Sequence, residues 1–271
     1  MPMLMSLPDT DRITDTMLFD LLFLFAAGFF GGIINSIAGG GSFITFPALI
    51  FAGIPPVSAN ATNTFASCAG YISGTYAFRR DLIAYKAELP RMVIISLLGG
   101  IIGAWLLLNT PETLFREAIP WLLLFATLLF IFGGQLNRSL KQLASKHRHA
   151  SAIGGVLLLL VLLGVSIYGG FFNAGLGIIT LSYLALAGHT NINAMNGMKL
   201  LISSAVSLIA IAIFINDGLI AWYEGTIVLV GTLAGGYVAA HLSRQLPQTY
   251  VRNFVIVASV LTTLYFFYDT Y

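Results

Sequence analysis

The sequence predicts an all-α polytopic membrane protein built from two homologous halves. Its 271 residues are 58% apolar and include only 13 basic and 11 acidic residues. Long apolar runs follow one another, and one residue pattern occurs twice. A typical soluble domain is about 45–50% apolar and about 25% charged, so this composition excludes a soluble enzyme and a disordered chain. The net charge of +2 does not indicate nucleic-acid binding.

Eight apolar runs are long enough to cross a bilayer. A spanning helix needs about 20 apolar residues, and in lipid it must satisfy its own backbone hydrogen bonds. The arm before the first run carries Asp9, Asp11 and Asp15 against only Arg12, whereas a secretory signal peptide begins with a basic region, so we expect a permanent first span. The runs cover residues 17–37, 58–78, 92–109, 118–136, 152–172, 197–215, 222–241 and 250–268.

Two shorter apolar runs, residues 43–54 and 178–188, each follow a glycine cluster. They hold matching places in an internal repeat, in which Thr45 aligns with Thr180 and Ala59 with Ala194 at an offset of 135. Further matches keep their order over about 70 residues. We therefore predict a first repeat over residues 1–136, a basic cytoplasmic linker over 137–151 and a second repeat over 152–271. Each repeat has four long spans and one short broken or re-entrant helix.

The orientation of the halves depends on whether the short runs cross the membrane. If they cross, the halves are inverted relative to each other; if they re-enter, the halves are parallel. Cytoplasmic loops carry an excess of Lys and Arg, and the inverted arrangement separates the basic residues better. The parallel alternative leaves Arg116, Arg244 and Arg252 outside. The inverted arrangement puts ten of the 13 basic residues inside: Arg79, Arg80, Lys86, Arg91, Arg138, Lys141, Lys146, Arg148, Arg244 and Arg252.

The glycine clusters predict helix breaks inside the membrane. Irregular backbone at that depth is tolerated where it is buried in protein or lines a cavity. A helix that restarts there presents free N–H groups and the positive end of its dipole, which together attract anions. Interrupted helices at matching positions in two halves indicate a transporter site. The alternative role of glycine is close helix packing, which is our interpretation of Gly28 and Gly32, Gly99 and Gly103, and Gly231 and Gly235.

Polar side chains beside the breaks complete the predicted site, because Asn, Ser and Thr can donate hydrogen bonds to an oxyanion. Lys199 stands out, since an ionisable residue inside a span suggests function; the alternative is a lysine that extends to the headgroups. The predicted substrate-binding residues are Asn35, Gly39, Gly40, Gly41, Ser42, Thr45, Thr62, Asn63, Asn173, Gly175, Gly177, Thr180, Asn196 and Lys199.

Residue patterns for other chemistry are missing from the sequence. It contains no His-Glu-x-x-His motif, carboxylate pair or nucleophile beside a base. The single Cys68 excludes an internal disulfide framework. We therefore expect no enzyme, no cofactor and no metal. The lack of an evident carboxylate in the middle of a span favours an anionic over a cationic substrate. A passive anion channel is the alternative to a transporter, and the oligomeric state stays open.

One segment resembles a known family signature. Residues 35–49, NSIAGGGSFITFPAL, resemble the signature of the TauE/SafE sulfite exporter (TSUP) family, and Ala59–Asn63 and Arg79–Arg80 fit it too. The second copy departs from it, because Ser182 stands where the first copy has Pro47. The resemblance covers about residues 18–268. It implies a bacterial inner-membrane transporter of sulfite, sulfonates or related small sulfur-containing anions, with export and proton coupling as features of some members.

Overall fold

The computed structural model describes residues 10–37, 39–146, 152–242 and 248–271. Helices account for nearly all of these residues, and no β-strand occurs within the described ranges. The first half contains α1 (Thr10–Ile37), α2 (Ser42–Phe51), α3 (Pro56–Ala77), α4 (Arg79–Leu82), a 3₁₀ helix (Ile83–Tyr85), α5 (Leu89–Leu108) and α6 (Glu112–Lys146). The second half contains α7 (Ala152–Phe171), α8 (Leu176–Leu186), α9 (Ile192–Asn216), α10 (Trp222–Leu242) and α11 (Gln248–Thr270).

Five helices are long and apolar enough to cross a bilayer, judged by length and composition over the described residues. They contain Leu18–Asn35, Leu89–Leu108, Glu112–Gly133, Ile192–Asn216 and Asn253–Thr270. The other three predicted spans coincide with α3, α7 and α10, which do not meet the same criterion. Helix α3 is more polar because it carries buried Asn60, Thr62 and Asn63. The crossing of these three helices therefore stays a prediction.

The structure differs from the predicted linker loop in the first part of that segment. Helix α6 continues to Lys146, so residues 137–146 are helical rather than a loop. Residues 147–151, with Arg148, lie outside the described residues.

Both predicted helix breaks are present. Helix α1 ends at Ile37 and α2 begins at Ser42, while α7 ends at Phe171 and α8 begins at Leu176. A Cβ on Gly31 would lie 2.6 Å from Thr45 Cγ2, and one on Gly41 would meet Gly31 and Asn35. Going forward along α2, the contacts move backward along α1. The chain therefore reverses its direction at the first break.

Close glycine contacts join the first helix of one half to a late helix of the other. Gly28 of α1 faces the backbone of Val228 on α10, and Gly32 faces that of Thr232. Because the later residue of α1 contacts the later residue of α10, the two helices run in the same direction. A Cβ on either glycine would overlap that backbone. The packing role predicted for these glycines is confirmed, as it is for Gly231 and Gly235, which face Phe25 and Phe29, and for Gly99 and Gly103, which face α7.

Helices α3 and α9 pack against each other through a glycine on each helix. Gly74 packs against Leu200, and Gly197 packs against Phe78, so these helices run in opposite directions. Thr75 Oγ1 lies 3.4 Å from Ser204 Oγ at the same contact. These two helices hold corresponding places in the two halves, and the helix breaks lie beside them.

Candidate functional site

A small polar cavity lies where the two helix breaks meet α3 and α9. Its volume is about 10 Å³, measured as the space open to the centre of a water molecule, which is room for about one water. Gly39 O lies 3.8 Å from the position that a Cβ would take on Gly177, so the two breaks are in contact. The lining residues are Asn35, Gly39, Ser42, Tyr71, Asn173, Gly175, Gly177, Lys199, Leu200 and Ser203.

The three glycines of the first break have different surroundings. Gly39 lines the cavity with φ +81°, a conformation that side chains with a Cβ rarely adopt. A Cβ on Gly40 would lie 2.7 Å from Val255 Cγ1 and 3.1 Å from Phe130 Cε2, away from the cavity lining. Gly41 packs against α1 instead. Of the three predicted glycines, only Gly39 lines the cavity.

Ser42, the first residue of α2, is held by a buried network of side chains. Thr45 Oγ1 donates to Asn63 Oδ1 at 2.5 Å, and Asn63 Nδ2 donates to Ser42 Oγ at 3.2 Å. Thr45 and Asn63 lie behind the cavity wall, where they orient Ser42. Because Ser42 Oγ accepts from Asn63, its own O–H can donate towards the cavity.

Asn173 fixes the second break to both α3 and α9. Its Oδ1 accepts from Tyr71 Oη at 2.8 Å, and its Nδ2 donates to Ser207 Oγ at 3.1 Å. The backbone of the break is held as well, because Tyr168 Oη donates to Ala174 O at 2.7 Å. Gly175 has φ +81° and precedes α8 without a side-chain cap. The first N–H groups of a helix have no acceptor within it, but those of Leu176 and Ile178 bond to Asn173 O and Gly175 O. Within the described residues the Gly177 N–H has no acceptor, which leaves it as the donor at the start of α8 beside the cavity.

Lys199 supplies the positive charge of the cavity. Its Nζ lies 3.9 Å from the Cβ position of Gly39, and its Cδ lies 3.4 Å from that of Gly177. No Asp or Glu is among the described residues that line the cavity. Within the part of the chain that the structure describes, the side chains of Lys199, Asn35 and Ser203 make no hydrogen bond or ion pair. The cavity therefore combines one cationic group with neutral donors.

Three further predicted residues lie outside the cavity lining, besides Gly40, Gly41, Thr45 and Asn63. Thr62 Oγ1 accepts from Ala221 N, just before α10. Thr180 Oγ1 donates to Leu176 O within α8. Asn196 lies on α9 nearly one turn before Lys199 and is not among the residues that line the cavity. The hydroxyl of Thr62 joins α3 to the residue before α10, and that of Thr180 bonds within α8. Nearness in sequence to the breaks therefore does not bring these threonines to the cavity.

Tyr71, Leu200 and Ser203 line the cavity but were not among the predicted residues. Ser203 could have been found from the sequence, because it lies four residues after Lys199 and so on the same face of the helix. Tyr71 gives no such local signal. Its place depends on the packing of α3 against α9, which sequence spacing does not report.

Comparisons with known proteins agree with the family resemblance. The family model described as sulfite exporter TauE/SafE matches residues 24–266. A probable membrane transporter protein of Haemophilus influenzae is 30% identical over 250 residues, covering 92% of this chain and 95% of the relative. The probable membrane transporter protein YfcA of Escherichia coli K12 is 28% identical over 249 residues, covering 92% and 90%. No solved structure matches.

These descriptions name transporters rather than enzymes, and they fit a multi-pass protein of the bacterial inner membrane. With the family model spanning the helices that form the cavity, the chain belongs to the TauE/SafE sulfite exporter family of membrane transporters.

Proposed function

We propose that the protein is a secondary transporter of a small, singly charged oxyanion, with sulfite in its protonated form or a small sulfonate as the leading substrates. The observation that supports this proposal most is the cavity lining, whose described residues include one lysine, several neutral hydrogen-bond donors and no carboxylate. The family description, which names sulfite export, supports the choice of a sulfur oxyanion.

The physical argument rests on the unpaired charge of Lys199. Lys199 is partly buried, and a charge withdrawn from water is costly unless it is paired and hydrogen-bonded. A bound anion supplies the missing partner, and a hydrogen bond to a charged group contributes about 1.5–3 kcal/mol. A cation would meet Lys199 without any carboxylate in the cavity lining to offset the repulsion. The proposed substrate-binding groups are Asn35, Gly39, Ser42, Tyr71, Asn173, Gly175, Gly177, Lys199 and Ser203.

We further propose that residues 1–136 and 152–271 form two inverted repeats, joined through the cytoplasmic segment 137–151. Support comes from α3 and α9, which hold corresponding places in the two repeats and run in opposite directions. Rocking of the halves about the cavity between them would widen it from its volume of about 10 Å³ to admit the substrate, and would then expose the substrate to each side in turn. Export is the proposed direction, and Lys199 is the proposed group for coupling to the proton gradient.

A passive anion channel is the competing function, and counterflow separates the two. Purified protein is reconstituted in liposomes loaded with unlabelled sulfite, and entry of labelled sulfite is followed with and without an imposed pH gradient. A transporter gives saturable entry that depends on internal unlabelled sulfite. Fast, unsaturated entry that ignores the internal sulfite would establish a channel instead. Sulfate and methanesulfonate as competitors test whether charge or the sulfur–oxygen group decides selectivity.

A further inference from the structure

A second and larger cavity opens on the outside of the α3–α9 contact. This α3–α9 groove has a volume of about 600 Å³ and lies between α3, α4, the 3₁₀ helix, α5 and α9. Its walls include Ile72, Tyr76, Ile83 and Leu208, which are all exposed. Tyr76 and Ile83 have 66% and 64% of their surface accessible. The groove is thus open and mostly apolar, and it is distinct from the small polar cavity.

The side chains deep in the groove do not need hydrogen bonds from a ligand. The hydroxyl groups of its threonine and its serine are already hydrogen-bonded, since Thr75 Oγ1 donates to Tyr71 O at 2.8 Å and Ser204 Oγ donates to Leu200 O at 2.8 Å. In a membrane protein such a surface is suited to a hydrocarbon chain, because lipid offers no hydrogen bonds.

Two basic side chains, Arg79 and Lys86, stand among the groove residues. The Arg79 guanidinium lies 4.0 Å from the centre of the Tyr76 ring, and Nη1 donates to Tyr76 O at 2.9 Å. That contact uses one of five N–H donors, so the others are free. Neither Arg79 nor Lys86 forms an ion pair within the described ranges.

Acidic groups nearby leave this positive charge largely available. Glu88 lies 3.4 Å from His189 Nε2 and is not among the groove residues. Asp81 lies on α4, between Arg79 and Lys86 in sequence, and is likewise absent from the groove lining. The groove therefore joins an apolar channel to a net positive group of side chains.

We propose that the α3–α9 groove binds one anionic phospholipid, with an acyl chain along the apolar walls and the phosphate between Arg79 and Lys86. Arg pairs with phosphate through two parallel hydrogen bonds, and Lys adds a point charge. Basic pockets between spanning helices suit anionic headgroups, at about 1 kcal/mol for each basic residue near the surface. A zwitterionic lipid would fill the walls equally well but would gain less from the two cations.

The lipid would also support the wall of the polar cavity. Leu201 and Ser204 of α9 line the groove, while Leu200 and Ser203 line the cavity. Leu200 also packs on Gly74 of α3. An acyl chain in the groove would thus lie against the same α3–α9 contact that closes the cavity.

The test is lipid retention by the full-length purified protein, measured by native mass spectrometry after exchange with phosphatidylglycerol or phosphatidylcholine of equal chain length. We expect at least about tenfold stronger retention of phosphatidylglycerol, from about 2 kcal/mol for two basic residues. The Arg79→Gln/Lys86→Gln variant should lose that preference while still retaining phosphatidylcholine. Arg116→Gln is the matched control, because Arg116 is an exposed basic residue paired with Asp269, away from the groove.

Further arms separate lipid binding from other sources of the signal. Inorganic phosphate alone should not bind at this site, and Ile72→Trp, which fills the groove, should weaken retention of both lipids. Melting curves of each variant in the same detergent report folding. Equal retention of both lipids by the wild type, an unchanged preference in the double variant, or binding of free phosphate to Arg79 and Lys86 would overturn the proposal. The readout does not depend on transport.

Discussion

At the residue scale, Gly177 lies beside Lys199 Cδ and beside Gly39 O of the first helix break, so a side chain added there is the most direct way to fill the polar cavity. A Cβ there would make ordinary contact with Lys199 Cδ at 3.4 Å, and the glycine has no positive φ. We expect Gly177→Val to fold and to reduce sulfite uptake into proteoliposomes by at least tenfold, because the added side chain would occupy space in the cavity beside Lys199 that the substrate needs. Gly164→Val is the control, because its Cβ would meet nothing within 4 Å. Equal uptake by both variants would place the substrate elsewhere.

His189, in the loop between α8 and α9, gives a prediction about pH. Burial lowers the pKa of His189 below its ordinary value of 6.5, while the Glu88 carboxylate, 3.4 Å from Nε2, acts in the opposite direction. The folded protein therefore favours neutral histidine, and the unfolded chain binds more protons just below pH 6.5. This contribution to stability is complete above about pH 6.5 and is lost as the pH falls through the lowered pKa.

We expect the melting temperature in detergent to fall on acidification below pH 6.5, and His189→Gln to make that fall shallower. Glu88→Gln should make it steeper, because it removes the group that favours the charged histidine. A wild type and a His189→Gln variant with the same pH slope would contradict this assignment.

The sequence predicted Lys199, Asn35, Ser42 and Asn173 at the cavity because each is a polar residue at or near a helix break. It missed Tyr71, whose position depends on contacts more than 100 residues away, such as its hydrogen bond to Asn173. Sequence distance from a break does not show which hydroxyl groups are already hydrogen-bonded within their own helix, as the Thr180 hydroxyl is. The rest of the site could be found only from the packing of α3 against α9.

At the element scale, the α1–α10 pair depends on glycine. A Cβ on Gly32 would overlap the backbone of Thr232, which cannot move as a flexible side chain can. We expect Gly32→Leu to separate the helices and destabilise the protein by about 1–3 kcal/mol or more, the usual cost of overpacking. Thermal unfolding in detergent measures it, with Gly164→Leu as the control. A Gly32→Leu variant as stable as the control would mean that the two helices do not pack in the membrane as described.

Most elements could be predicted because apolar runs and glycine clusters act locally. Each of the eight long runs and both short runs became a helix, and both breaks lie where the glycines indicated. The end of α6 was placed too early, because Arg138 and Lys141 were taken as marks of a loop although both residue types favour helix. Polar residues also lower the apolar content of α3, and among them Asn60 and Asn63 form hydrogen bonds to other helices of the fold.

At the scale of the whole molecule, the inverted arrangement makes a prediction about which side each loop faces. Asp217, between α9 and α10, lies on the same side as Asn109 if the halves are inverted and on the side of Lys86 if they are parallel. Single cysteines replace each residue in turn in a Cys68→Ser background. We expect a membrane-impermeant maleimide added to intact cells to label Asn109→Cys and Asp217→Cys but not Lys86→Cys. Labelling of Asn109→Cys alone would favour the parallel arrangement.

The central claim is that Lys199 pairs with a small anion in the cavity between the two halves. Equilibrium binding of labelled sulfite to the purified protein tests it most directly, in the wild type, Lys199→Met and the control Arg116→Gln. Loss of a charged hydrogen bond worth about 1.5–3 kcal/mol predicts about 10- to 100-fold weaker binding in Lys199→Met and unchanged binding in the control. Sulfite affinity in Lys199→Met equal to that of the wild type, in a variant that melts normally, would contradict the account.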